Sequence, residues 1–234
     1  LLEKTFFCWE WRSWTWLTTV AFDRSHKRCL FTTYKSSCSQ SDMSPEIETA
    51  SQNIVTQQAL ADGVGETSRG TTLGSGRHTI ATIEHLMSAL YGMGVDNALV
   101  ELDGGEIPIL DGSARPWVQQ IARVGVVPQG SARQSIDFKE PLHFEFPATG
   151  SVFEVVPDDH FSVDCTIDFS DSVIGRQTAT LDGFQQYVSE IAPCRTFVFL
   201  HEIEPLLHLN LIKGGSLDNA LVFVNKELGS RQLR

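Results

Sequence analysis

One five-residue segment occurs twice in this chain, at Asp96–Val100 and again at Asp218–Val222. Each copy follows a predicted helix and a glycine turn, and each begins a stretch that is typical of a strand. Matching segments at equivalent points of two strand-and-helix units indicate two similar halves. The sequence therefore predicts an α+β fold built from two similar layered units, and sites often form between such halves.

An amphipathic helix is predicted just before the first copy, at the end of the stretch Thr79–Gly92. Its apolar residues recur at i, i+3, i+4 and i+7, which predicts one buried face. That face comprises Ile83, Leu86, Met87 and Leu90. Thr82 is the predicted N-cap, because its hydroxyl can accept from a free N–H of the first turn. Gly92 and Gly94 are predicted to end the helix.

Glu84 and His85 fall in the first turn of this helix, where the helix dipole favours a carboxylate and a neutral imidazole. A neutral imidazole can bind a metal ion, and a carboxylate can take a proton from a metal-bound water. The simpler interpretation is a surface pair or a satisfied cap. The spacing His-Glu-x-x-His, which would place two zinc ligands on one helix face, does not occur here.

The net charge of −11 makes a general nucleic-acid surface an unfavourable interpretation. The sequence has no apolar stretch approaching the roughly 20 residues of a membrane span. The chain has five Cys and no Cys-x-x-Cys pair, so the sequence predicts a reducing, cytoplasmic location without a disulfide framework. Cys165 and Cys194 are interpreted as small buried apolar residues.

Three regions are predicted. Residues 1–45 contain four of the five Trp and show no helical or strand period from Cys29 to Met43, so they are interpreted as a non-native or disordered lead. Residues 46–128 form the first unit, and residues 129–234 form the second. Further helices are predicted at Ala114–Val124, Leu181–Ile191 and Glu202–Leu209, and further strands at Leu142–Phe146, Val152–Val156, Phe161–Phe169, Arg195–Leu200 and Asn219–Val224.

Five segments occur in an order that points to a known family. They are Thr82–Leu90, Gly94–Asn97, Glu106–Ala114, Ala192–Phe197 and Gly214–Ala220. Together they resemble UDP-3-O-acyl-N-acetylglucosamine deacetylase, the zinc enzyme of lipid A biosynthesis in Gram-negative bacteria. The segments Glu66–Thr72 and Ala192–Asp218 look most like the versions fused to a 3-hydroxyacyl carrier-protein dehydratase.

The resemblance implies two β-α-α-β layered domains packed face to face, with the active site between them, and a UDP-linked acylated glucosamine as substrate. It implies Glu84 as general base and Thr196 as the group that stabilises the oxyanion. It implies His85 as a zinc ligand. The substrate-binding residues that it implies are Phe197, Glu202 and Lys213.

The family's other zinc ligands, a His and an Asp in a His-Lys-x-x-x-Asp pattern, and its general-acid His do not occur before Arg234. Because a catalytic zinc needs about three protein ligands, we expect this chain to be an inactive fragment with an incomplete second domain. A non-catalytic remnant that binds sugar nucleotides is the alternative, and a structural role for Glu84 and His85 as a helix cap is a third interpretation.

Overall fold

The computed structural model describes most of the chain from residue 55 to residue 224. The described residues are 5–8, 16–23, 28–35, 55–57, 59, 61–67, 70–76, 78–102, 105–128, 138–169, 172–203 and 215–224. Within them lie fourteen strands: β1 (Thr5–Cys8), β2 (Trp16–Asp23), β3 (Arg28–Lys35), β4 (Val55–Gln57), β5 (Val64–Glu66), β6 (Thr72–Ser75), β7 (His78–Ile80), β8 (Leu99–Leu102), β9 (Leu142–Phe146), β10 (Ser151–Val155), β11 (Ser162–Phe169), β12 (Gly175–Asp182), β13 (Phe197–Phe199) and β14 (Leu221–Phe223).

The helical segments are fewer. They are α1 (Glu84–Gly92), α2 (Arg115–Val124), 3-10 turns at Ala61–Gly63 and Phe184–Gln186, and a π-helical turn at Tyr187–Ile191. The mixture of helices and small sheets confirms the predicted α+β class, whereas a face-to-face packing of two layered domains stays a prediction. Within the described residues, no helix combines the length and the hydropathy needed to cross a membrane.

The sheets are small, and most are antiparallel. The order β3-β2-β8-β1-β4 forms one sheet, and β5-β6-β7 forms another. The strands β9 and β10 form an antiparallel ribbon, as do β11 and β12, while β13 and β14 pair in parallel. The two copies of the repeated segment behave alike, because each leads directly into a strand, β8 or β14.

Residues 1–45 contain three strands, where the sequence predicts none. The strand β8 pairs with β1 on one side and with β2 on the other. The difference has a physical cause: β-strand pairing uses backbone groups, so a strand can join a sheet without an alternating side-chain pattern. Whether residues 1–45 form a separate lead, and where the two domains divide, stays a prediction.

The core lies around α1 and α2. In α1 the predicted apolar face is confirmed, since Leu86 and Leu90 are each 2% exposed and Met87 packs against the core. In α2, Trp117, Val118 and Ile121 are buried, whereas Val124 is exposed. Val124 is the last residue of this helix.

The third predicted helix differs most from the structure. Leu181 belongs to β12, and the helical segment begins only at Phe184. In the π turn, Tyr187 is buried and Val188 is exposed, because a π turn holds more residues than an α turn and changes which side chains face the core. The prediction of buried Cys165 and Cys194 is also wrong, because both thiols are exposed and free.

Candidate active site

The helix α1 begins in a tightly held stretch rather than at a side-chain cap. Ile83 is the N-cap residue, and its backbone N–H donates to the Thr71 carbonyl oxygen. Thr82 lies at φ 61°, and its hydroxyl donates to a carboxylate oxygen of Glu106 over 2.9 Å. The prediction of Thr82 as N-cap is therefore wrong, since its side chain joins a neighbouring segment instead. A left-handed threonine is strained, and such positions cluster at functional sites.

The end of α1 agrees with the sequence. The backbone N–H of Gly94 donates to the Tyr91 carbonyl, and that of Val95 donates to the Leu90 carbonyl. This pattern is a Schellman motif, with Gly94 in the left-handed position at φ 69°. The motif fixes the C-terminal end of the helix whose first turn carries Glu84 and His85.

His85 and Thr196 meet across the molecule. Thr196 Oγ1 lies 3.2 Å from His85 Nε2, although 111 positions separate the two residues in the chain. Both side chains are half-buried. The hydroxyl is a donor when the imidazole nitrogen is unprotonated and an acceptor when the nitrogen carries the proton. Two of the site residues implied by the resemblance are therefore in direct contact in the folded chain.

Glu84 makes a different contact. Its Oε2 accepts a hydrogen bond from the Thr71 backbone N–H over 3.0 Å. A Cβ on the neighbouring Gly70 would lie 3.4 Å from Oε1, so the loop passes close to the carboxylate. The contact orients the carboxylate through one oxygen and leaves lone pairs on the other for a proton.

The backbone of Thr196 is fixed on both sides. Its N–H donates to the Gly112 carbonyl over 2.7 Å, and its carbonyl accepts from the Leu221 N–H over 2.8 Å. Gly112 follows Leu110 and Asp111 in a turn where Leu110 has φ 53°. The Thr196 backbone is thus held by a segment before α2 and by the start of β14.

Phe197 belongs to an aromatic cluster beside this site. Its ring centroid lies 5.6 Å from that of Phe169 and 5.9 Å from that of Phe223, both edge to face. Phe199 lies 5.7 Å from Phe169. Of these rings, the family resemblance implied only Phe197 as a site residue. The alternation of apolar residues along β11, with Phe169 at its end, was the available signal for the ring that joins it.

The other two predicted substrate-binding residues are Glu202 and Lys213. Glu202 Oε2 accepts from the Phe199 backbone N–H over 3.1 Å, at the start of the helical residues 200–203. That contact is typical of an acidic residue at a helix N-terminus. Lys213 and most of the predicted helix Glu202–Leu209 lie outside the described residues.

The zinc expected from the resemblance needs more donors than His85. Among the described residues, no group of three His, Cys, Asp or Glu ligands includes His85. Because a catalytic zinc needs about three protein ligands, the described residues do not fit the ion by themselves. The described chain has one group of that kind elsewhere, formed by the exposed Asp158, Asp159 and His160.

The first turn of α1 therefore presents a carboxylate and an imidazole, and the imidazole contacts the Thr196 hydroxyl. A carboxylate can remove a proton from water, and a hydroxyl can donate to a developing oxyanion. An aromatic wall next to these groups can pack against a sugar or a base.

Comparison with known proteins identifies the family. The family model described as LpxC, UDP-3-O-acyl N-acetylglycosamine deacetylase, matches residues 44–234. The bifunctional enzyme LpxC/FabZ of Porphyromonas gingivalis is 46% identical over 175 residues, which cover 75% of this chain and 38% of that protein. The corresponding enzyme of Bacteroides thetaiotaomicron is 44% identical over 173 residues, 74% of this chain and 38% of that protein.

A protein without the second activity in its name is also similar. The UDP-3-O-acyl-N-acetylglucosamine deacetylase of Trichormus variabilis is 42% identical over 173 residues, covering 72% of this chain and 61% of that protein. The chain thus spans well under half the length of the bifunctional relatives and about three fifths of this one. The family match covers more than half of the chain, and the chain belongs to the UDP-3-O-acyl N-acetylglycosamine deacetylase family.

Proposed function

We propose that this chain carries part of the active site of an enzyme that hydrolyses the N-acetyl group of UDP-3-O-(3-hydroxyacyl)-N-acetylglucosamine in lipid A biosynthesis. The observation that carries the proposal is the 3.2 Å contact between Thr196 Oγ1 and His85 Nε2. It joins two motifs of the family, and Glu84 lies next to one of them in the same helical turn.

Each residue has a role in this proposal. Glu84 is the general base that takes a proton from the attacking water, through the carboxylate oxygen not bonded to Thr71. Thr196 donates its hydroxyl hydrogen to the oxyanion of the tetrahedral intermediate. Phe197 packs against the sugar-nucleotide portion, and Glu202 and Lys213 contribute further substrate contacts. The half-buried positions of Glu84 and Thr196 support these roles, because water is partly excluded there.

We also propose zinc as the cofactor, with His85 as one ligand and the others outside the described residues. The support is the family membership and the contact of His85 with Thr196, which joins two of the family's motifs. The family's His-Lys-x-x-x-Asp pattern does not occur in the 234-residue sequence, and we therefore propose that this chain alone is inactive. A non-catalytic sugar-nucleotide-binding remnant is the alternative. A fused dehydratase domain in the parent protein and a cytoplasmic location complete the proposal.

A chimera tests this function. Residues 46–224 replace the aligned segment of the Porphyromonas gingivalis relative, and acetate release from the UDP-linked substrate is measured. We expect turnover, and we expect Glu84→Gln to lower kcat by about 10²- to 10⁴-fold, the usual contribution of a general base. Zinc should remain bound in Glu84→Gln and be lost in His85→Ala.

The matched control is Glu145→Gln, an exposed carboxylate of β9 that should leave turnover unchanged. Full activity of Glu84→Gln, or retention of zinc by His85→Ala, would contradict the assigned roles. A chimera that binds the UDP-sugar without releasing acetate would favour the binding remnant.

A further inference from the structure

Arg195, the residue before Thr196, ties two distant segments together through backbone oxygens. Its Nε donates to the Asp111 carbonyl over 2.8 Å. Its Nη2 donates to the Leu217 carbonyl over 3.2 Å and to the Asp218 carbonyl over 2.6 Å. A guanidinium has five N–H donors in a fixed plane, so one side chain can hold several carbonyls in a defined geometry.

The same two segments hold the Thr196 backbone. Gly112, which accepts from the Thr196 N–H, directly follows Asp111. Leu221, which donates to the Thr196 carbonyl, lies three residues after Asp218. The Arg195 side chain therefore contacts the same two segments that hold the Thr196 backbone.

The two segments also touch each other. Gly112 has φ 79°, and a Cβ there would overlap the carbonyl oxygen of Asn219. The Asp111 carboxylate forms hydrogen bonds within its own turn, since its Oδ1 accepts from the N–H and the hydroxyl of Ser113. The turn before α2 is thus internally braced, and Arg195 connects that braced turn to the turn before β14.

We propose that Arg195 is a positioning residue that holds the Thr196 hydroxyl against His85. It acts through the Asp111–Gly112 turn and the Leu217–Asp218 turn, so its loss moves Thr196 without removing any group from the site. Lysine cannot replace it, because a single ammonium on a flexible stem does not span carbonyls on two segments in one plane. For its effect on turnover, the inference rests on the proposed function.

The direct test is independent of activity. The 234-residue chain is labelled with ¹⁵N-histidine, and the His85 ring nitrogens are assigned by the signal lost in His85→Gln. Thr196→Val sets the shift that accompanies loss of the hydroxyl contact. We expect Arg195→Lys to move the His85 Nε2 signal by at least about half of that shift, while the signals of His143 and His160 stay in place.

The control is Arg123→Gln, which removes an arginine from the last turn of α2. It should leave the His85 signal unchanged. If Arg195→Lys lowers the melting temperature and leaves the His85 signal at its wild-type position, Arg195 is only structural and the inference is wrong. If Arg195→Lys changes neither, the inference is also wrong.

Kinetics in the active chimera give a second, separate test. A displaced Thr196 should lower kcat by about 10- to 100-fold, as small misplacements do, with KM within about twofold. Millimolar guanidinium should restore part of the kcat of Arg195→Ala but none of that of Thr196→Val. An increase in KM alone, or no rescue in a folded Arg195→Ala, would overturn the inference. An inactive wild-type chimera would refute the proposed function and leave the ring-nitrogen test intact.

Discussion

At the scale of single residues, His160 is the most strongly perturbed base in the described chain. Its Nδ1 lies 2.6 Å from an Asp159 oxygen and its Nε2 lies 2.6 Å from an Asp182 oxygen. These hydrogen bonds, Asp159 first, raise the pKa of His160 to about 9. The protonated ring thus ties the turn before β11 to the end of β12.

The pH dependence follows from the sign of that shift. Because the folded pKa of His160 is above its ordinary 6.5, the stabilisation is fully present below pH 6.5 and is lost as the pH rises through about 9. We expect the ring signals of His160 to titrate near pH 9 and Asp182→Asn to lower that pKa. Asp164→Asn, on the same ribbon but bonded to Thr180, is the control. Titration near 6.5 in the wild type would contradict the assignment.

Gly112 gives a second prediction at this scale. Gly112→Ala places a methyl group against the Asn219 carbonyl, whereas Gly76→Ala, also at positive φ, meets nothing within 4 Å. We expect Gly76→Ala to lower the free energy of unfolding by about 1 to 2 kcal/mol through backbone strain. Gly112→Ala should cost about 1 to 3 kcal/mol more through overlap. Urea unfolding of both variants measures the difference. Equal losses of stability would show that the Asn219 backbone moves away from the added methyl group without cost.

At the scale of elements, α1 and the π turn are joined by one polar contact. The hydroxyls of Ser88 and Tyr187 are 2.7 Å apart, and a Cβ on Gly92 would overlap the Tyr187 ring. Tyr187 is 4% exposed, and burial raises its pKa while the Ser88 hydrogen bond opposes that rise. Gly92 thus lets the ring lie directly on the helix that carries His85.

A double-mutant cycle tests the contact between Ser88 and Tyr187. Ser88→Ala and Tyr187→Phe should each lower the free energy of unfolding by about 1 kcal/mol, because each leaves a hydroxyl unpaired. The double variant should lose less than the sum, with a coupling of about 0.5 to 1.5 kcal/mol. The exposed pair Thr166 and Thr178, whose hydroxyl oxygens are 2.8 Å apart, is the control and should couple less. Purely additive losses would mean that the hydrogen bond between Ser88 and Tyr187 contributes nothing to stability.

At the scale of the whole molecule, apolar surface remains uncovered on the β9–β10 ribbon. The register places Phe144 opposite Phe153, and these rings are 48% and 59% exposed. Phe146 shares that face, while His143 on the other face bonds to Glu145 and Glu154. Exposed apolar faces of this kind attract apolar ligands and other chains.

We therefore expect the chain to bind an apolar fluorescent dye at this face. The pair Phe144→Lys and Phe153→Glu keeps the net charge and should reduce dye binding without lowering the melting temperature. Thr166→Lys with Thr178→Glu, on the polar face of the other ribbon, should leave dye binding unchanged. Unaltered dye fluorescence in the phenylalanine variant would locate the apolar surface elsewhere.

The sequence by itself determined the regular parts of the local structure. The apolar period of α1 predicted its buried face, and the glycines predicted its Schellman end. The predicted strands match β9 to the residue and β11 to within one residue. These features depend on residues a few positions apart in the chain, so they can be predicted directly from the sequence. The family, too, followed from short motifs in register.

Only the tertiary structure decided how these elements meet. No local pattern shows that Thr82 turns to Glu106, that Thr71 holds Glu84, or that β12 extends through Leu181. The contact between Thr196 and His85 spans 111 positions and depends on where Gly112 and β14 place the Thr196 backbone. Such contacts arise from packing of whole elements, which overrides local propensity wherever a site or an irregular turn is built.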